Sequence, residues 1–121
     1  MNTRRAFCTV AILGWSVIIA LAGEELSRVW RDPNTTVQRR AAAVNQAFTN
    51  GTPVLVVVAA LGTNYTRCWS STQPPSNRWW LSYSFDDKSV DIFTSVSVSE
   101  DPLTGYFTGA GYSLPTATTH H

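Results

Sequence analysis

Histidine is almost missing from this sequence, and the chemistry that depends on it is missing too. The only two histidines are His120 and His121, at the end of 121 residues. Neither a Ser-His-Asp nor a Cys-His arrangement can therefore form within the body of the chain. Two terminal histidines without a further ligand make no zinc site. No Gly-x-Gly-x-x-Gly or Walker pattern is present to cradle a nucleotide phosphate. Charge is sparse and balanced, with 14% charged residues and a formal net charge of +1. That gives no electrostatic reason to expect nucleic acid or an anionic membrane as partner. Together these absences predict a non-enzyme with no metal and no cofactor. What is present suits a folded chain, since apolar residues make up 44%, and the length suits one domain.

The N-terminus has the order of an export signal. Arg4 and Arg5 precede a run from Ala6 to Ala22 without a charged residue, Ala20-Leu21-Ala22 has the small-x-small pattern of a cleavage site, and Glu24 and Glu25 follow. Residues 1–22 therefore read as a secretory signal peptide, cut after Ala22 or Gly23, with 23–121 as the single mature domain. A retained membrane anchor is the other reading. The run is slightly short for a span of about 20 residues, and Gly14 and Ser16 weaken it. Cleavage removes Arg4 and Arg5, leaving seven basic residues against eight acidic ones. The expectation is a secreted, extracellular protein without stable membrane insertion. Three Asn-x-Thr sequons agree with export and predict glycosylation at Asn34, Asn50 and Asn64. Pro53 lowers the expected occupancy of the second.

Cysteine is scarce for an exported chain of this size. Cys8 lies inside the signal, so the mature chain keeps Cys68 alone. It pairs with another chain, stays a buried thiol, or lacks its intended partner. Arg67 is its neighbour in sequence, but adjacent side chains on a strand point to opposite faces, which argues against an activated nucleophile.

Along the chain, a helical turn over Glu24–Trp30 stops at Asp32-Pro33. Thr35 or Thr36 then caps a helix to about Phe48, with Val37, Ala41, Val44 and Phe48 as its apolar stripe and Gln38, Arg39, Asn45 and Gln46 solvated. Asn50-Gly51 ends it. The spacing after Pro53 predicts five strands. Val54–Leu61 is apolar on both faces, as a strand covered on both sides would be. Tyr65–Ser70 follows. Arg78–Phe85 places Trp79, Leu81, Tyr83 and Phe85 on one face. Asp86-Asp87-Lys88 makes a hairpin turn. Val90, Ile92, Thr94, Val96 and Val98 alternate in the fourth strand, and Tyr106, Thr108, Ala110, Tyr112 and Leu114 share a side of the fifth. Gly105, Gly109 and Gly111 suggest curvature there. The fold class is thus mainly β, a helix followed by an antiparallel meander.

The order of signal, helix and meander resembles the opening of a tick salivary lipocalin of the histamine-binding-protein kind. Val54–Leu61 looks like that family's first long strand. Leu61-Gly62-Thr63-Asn64-Tyr65-Thr66-Arg67-Cys68-Trp69 resembles its next segment, with a cysteine early in the second strand, and Trp80–Phe85 falls at its third. The family's barrel has eight strands, about twice this mature length and a second cysteine in a C-terminal half absent here, as is the biogenic-amine signature. The resemblance implies a truncated or diverged member with a partial barrel, to which the family's amine binding is not carried over. The expected function is to sequester a small host mediator, a biogenic amine or a lipid.

The ligand-binding residues expected are Trp79, Tyr83, Phe85 and Tyr106, with Leu81, Ile92 and Val96 beside them. By analogy with lipocalins Trp30 closes one end. Ordinary core is the simpler reading of the same face. Asp86, Asp87 and Asp91 form an acidic cluster that suits a cationic amine or a solvated hairpin tip. An open five-stranded sheet also leaves an edge, so dimerisation through Cys68 or that edge is expected. A secreted cystatin-like inhibitor or other protein-binding module is the alternative, although the Gln-x-Val-x-Gly hairpin of cystatins is absent. A remnant acting by edge pairing is a third.

Overall fold

Asp32 and Pro33 divide the first two helices. The computed structural model describes residues 23–72 and 77–115. The expected signal with Cys8, the Pro74-Pro75 loop and the terminal histidines lie outside the described residues. Helix α1 covers 23–31, and α2 spans Val37–Ala47. Thr36 is the cap of α2: its Oγ1 accepts the Arg39 N–H at 3.1 Å, a bond worth about 1 kcal/mol to a helix. Val37, Arg40, Ala41, Ala43 and Val44 are buried, so three of the four expected stripe residues face the core and Phe48 is half-buried.

The segment expected as the first strand is a helix. Residues Val54–Leu61 form α3. Burial falls on Val54, Val57, Val58 and Leu61, while Leu55, Val56, Ala59 and Ala60 are exposed, which is the 3.6-residue period rather than alternation. Pro53 starts it, its carbonyl accepting the Val56 and Val57 N–H groups. Gly62, at φ 98°, ends it by donating its N–H to the Val58 carbonyl at 2.8 Å. A short apolar run fits either conformation, and packing overrides the strand preference of valine.

Among the described residues four strands follow instead of five: β1 Thr66–Cys68, β2 Arg78–Phe85, β3 Lys88–Ser97 and β4 Phe107–Ser113. They form one antiparallel sheet in the order β1-β2-β3-β4. The meander is as expected. The sheet is open, with β1 and β4 at its edges, and the whole is a mixture of helix and sheet rather than mainly β. Leu81, Ile92 and Ala110 lie in one cross-strand row, and Tyr83, Val90 and Tyr112 in the next. Leu81, Tyr83, Val90, Ile92 and Phe107 meet Leu26, Val29, Val37, Val44 and Val57 in a single core.

β4 starts later than the alternation predicts, and in another register. Asp101 accepts the Leu103 N–H and opens a 3-10 turn over Pro102–Thr104. The α2–α3 connection then holds the next residues: Gly51 donates to the Phe107 carbonyl at 2.8 Å, and Phe107 donates to Thr52 at 2.7 Å. A shift against β3 between Phe93 and Thr94 breaks the alternation. Phe107 is therefore buried, and Tyr106 is 56% exposed.

Candidate functional site

The sequence brings aromatic residues from separate elements to the end of β2. Trp30, in the last turn of α1, meets Tyr83 at 5.2 Å and Phe85 at 5.1 Å between ring centroids, edge-on in both cases. Tyr65 meets the Tyr83 ring at 5.7 Å. The Tyr83 hydroxyl donates to the Gly62 carbonyl at 2.7 Å, tying β2 to the end of α3. Burial raises the Tyr83 pKa well above the ordinary phenol value, with Tyr65 adding to it. Three of the five expected ligand residues, Trp30, Tyr83 and Phe85, thus come together, but they fill the space between them with one another's rings.

The other two stand apart. Trp79 is half-buried and its indole N–H donates to the Glu100 carbonyl at 2.7 Å. Tyr106 lies beside Pro53, bridging to it as an isolated pair. The acidic trio separates as well. Asp86 and Asp87 form the tip of the β2–β3 hairpin, whereas Asp91 is buried in β3 and accepts the Ser89 and Ser113 hydroxyls at 3.1 and 2.7 Å. Cys68 is half-buried, and burial pushes its thiol above the ordinary value, with Asp91 adding to the effect. Both influences work against a thiolate nucleophile. Among the described residues no group of His, Cys, Asp and Glu could hold a metal ion. No helix among them is long and apolar enough to cross a membrane.

An organising residue that the sequence did not single out is Arg40, only 6% exposed. Its Nε, Nη1 and Nη2 donate to the carbonyls of Trp30, Thr35 and Asp32 at 3.1, 3.0 and 2.6 Å. Its guanidinium lies over the Phe85 ring, 4.0 Å from the centroid, a cation–π contact. Burial lowers its pKa, and Asp32 opposes the shift. Its position three residues after Val37, on the inward stripe of α2, is the signal that could have found it.

Above this stack lies an open depression of about 480 Å³, lined by the α1–α2 turn (Pro33, Asn34, Thr35), by Val37 and Arg40, and by Ser84, Phe85, Asp86 and Lys88 of the hairpin. Lys88 Nζ lies 3.4 Å from Asp87 Oδ1. Asp86 has no cationic partner among the described residues, and it holds a φ of 60° at the turn. Comparison with protein families, with characterised proteins and with solved structures finds no match. The arrangement offers a shallow seat lined by an aromatic ring, a carboxylate, a guanidinium and an ammonium. The three sequon asparagines, Asn34, Asn50 and Asn64, are all exposed, and Asn34 alone belongs to this lining.

Proposed function

We propose that the chain is an exported, non-catalytic binding protein that holds a small amphipathic mediator in the depression between the α1–α2 turn and the β2–β3 hairpin. The observation that carries this reading is the presence in one open concavity of Phe85 and of the Asp86 carboxylate, which has no cationic partner among the described residues. Recognition sites combine an apolar wall with a few placed polar groups. A small amine sets its ring on Phe85 and its ammonium on Asp86, which must outweigh the Arg40 and Lys88 cations of the same lining, whereas the rings of Trp30, Tyr65, Tyr83 and Phe85 pack on one another. The lipocalin-like reading of a partial barrel now rests on β1–β4 alone, because Val54–Leu61, one of its supports, is helical.

The test is titration of histamine, serotonin, leukotrienes and fatty acids against tryptophan fluorescence. Trp30 lies against Phe85 and reports on the seat, and a Trp30→Phe variant separates its signal from the other indoles. A saturable response to amines that vanishes in Asp86→Asn supports the proposal. Asparagine tolerates the positive φ of that position, so the fold is kept. No amine response in the parent protein freed of glycan, or an undiminished one in Asp86→Asn, overturns it. A protein-binding role, cystatin-like or otherwise, is the second reading, favoured by the exposed Leu55 and Val56 on α3. It predicts loss of papain-like protease activity on mixing, with no amine response.

A further inference from the structure

The depression has a candidate occupant within the chain itself. The sequon Asn34-Thr35-Thr36 forms the turn that walls it. The backbone of that turn is pinned. Asn34 N–H donates to Asp32 Oδ1 at 2.9 Å, Thr35 N–H to the Asp32 carbonyl at 3.2 Å, and Arg40 clamps the Thr35 and Asp32 carbonyls from below. The Asn34 carboxamide takes part in none of these bonds. Asn50 and Asn64, also exposed, are not among the residues that line it.

We infer that a glycan on Asn34 lies back into the depression, with its first N-acetylglucosamine against Phe85, so that occupancy of this sequon closes the proposed ligand seat. The inference rests on the export reading and on the seat proposed above. Attachment needs a lipid-linked oligosaccharide pyrophosphate as donor, encountered during export. A bond forms between Asn34 Nδ2 and C1 of the sugar, the C1–oxygen bond to pyrophosphate breaks, and the amide loses one proton. The fixed turn leaves the attached sugar few directions. On one side lies solvent. On the other lie the Phe85 edge for the C–H face of the pyranose, and Ser84, Asp86 and Lys88 for its hydroxyls and acetamide. Such mixed lining suits a carbohydrate, whose ring is apolar on its faces and polar at its rim. Asn34 therefore modulates binding through occlusion, without any change in the fold.

The experiment uses the full chain secreted from a eukaryotic cell line. An amidase that releases N-glycans and leaves aspartate behind is applied to the native protein, and each site is followed by peptide mass. Release at Asn34 is expected to be about tenfold slower than at Asn64, equivalent to about 1.4 kcal/mol of shielding. The Ser84→Ala, Lys88→Ala double variant, which alters only surface side chains, is expected to bring the two rates together. In parallel, Asn34→Gln is expected to bind the responding amine about tenfold more tightly than the glycosylated parent. Absence of glycan at all three sequons overturns the export reading along with the inference. Glycan at Asn64 with none at Asn34 keeps export and overturns the inference. Equal native release rates, or equal amine affinity with and without the Asn34 glycan, overturn it likewise. If no amine binds either form, the ligand seat fails, and the release rates alone decide whether the glycan lies in the depression.

Discussion

Arg40 shows how much can hang on one side chain. Its three donors serve three carbonyls around the break between α1 and α2, of which that of Asp32 also accepts the Thr35 N–H, and its guanidinium lies over Phe85. Lysine carries the same charge but has neither the fork nor the plane. Arg40→Lys is expected to lose about 2–3 kcal/mol in urea unfolding, because a hydrogen bond to a charged group contributes about 1.5–3 kcal/mol and such losses do not add. A change below about 0.5 kcal/mol would show that the turn holds without the clamp. Tyr83 gives a pH signature. Its folded pKa lies above the unfolded value of about 10, so the folded state retains the proton more tightly. The stabilisation is complete below that pH and is lost as pH rises above it. Alkaline unfolding should therefore begin above about pH 10 and should flatten in Tyr83→Phe, which cannot ionise. An unchanged alkaline slope in that variant would contradict the buried phenol.

At the level of elements, Asn45 closes an edge that backbone pairing leaves open. Its side-chain amide donates to the Ala110 carbonyl and accepts the Ala110 N–H, both at 2.9 Å, as a neighbouring strand would. The Asn45 side chain, expected to be solvated, thus holds α2 to β4. Asn45→Asp keeps the acceptor and loses the donor, while Asn45→Leu loses both. Losses of about 1 and about 2 kcal/mol are expected, with amide exchange quickened at Ala110. Unaltered exchange there in Asn45→Leu would refute the role. Several elements were legible in the sequence. The α2 stripe with a cap at Thr35 or Thr36, and the alternation of β2 and β3 about Asp86-Asp87, follow from side-chain period and turn chemistry. α3 was not legible, because Val54–Leu61 is apolar at every position and so carries no period. The β4 register was hidden for a different reason. Phe107 and Tyr106 are equally good inward residues by pattern, and the choice was made by Gly51 and Thr52, more than fifty positions away in the chain. Of the expected site, Trp30, Tyr83 and Phe85 met because one face of β2 was read correctly. Arg40 and the depression arise from a turn whose shape no local pattern encodes.

For the whole molecule, the main consequence of α3 being helical is an unbalanced surface. A strand with both faces apolar would be covered on both sides, whereas this helix turns Leu55 outward at 60% exposure and Val56 at 49%. Ala59, Ala60 and Pro53 are exposed beside them, and Tyr106 extends the patch through its bridge to Pro53. A helix apolar on every side is normally buried, and contiguous apolar surface marks a place where something associates. The native protein is therefore expected to bind the hydrophobic dye ANS without unfolding. Leu55→Glu with Val56→Lys should remove most of that binding and leave the unfolding free energy in urea within about 0.5 kcal/mol of the parent, since neither side chain enters the core. The pair keeps the net charge, so a fall in dye binding reports lost apolar surface rather than altered repulsion. If dye binding survives the double change, the exposed apolar surface lies elsewhere. If stability collapses, Leu55 and Val56 are core residues after all, and the helical assignment of Val54–Leu61 goes with them.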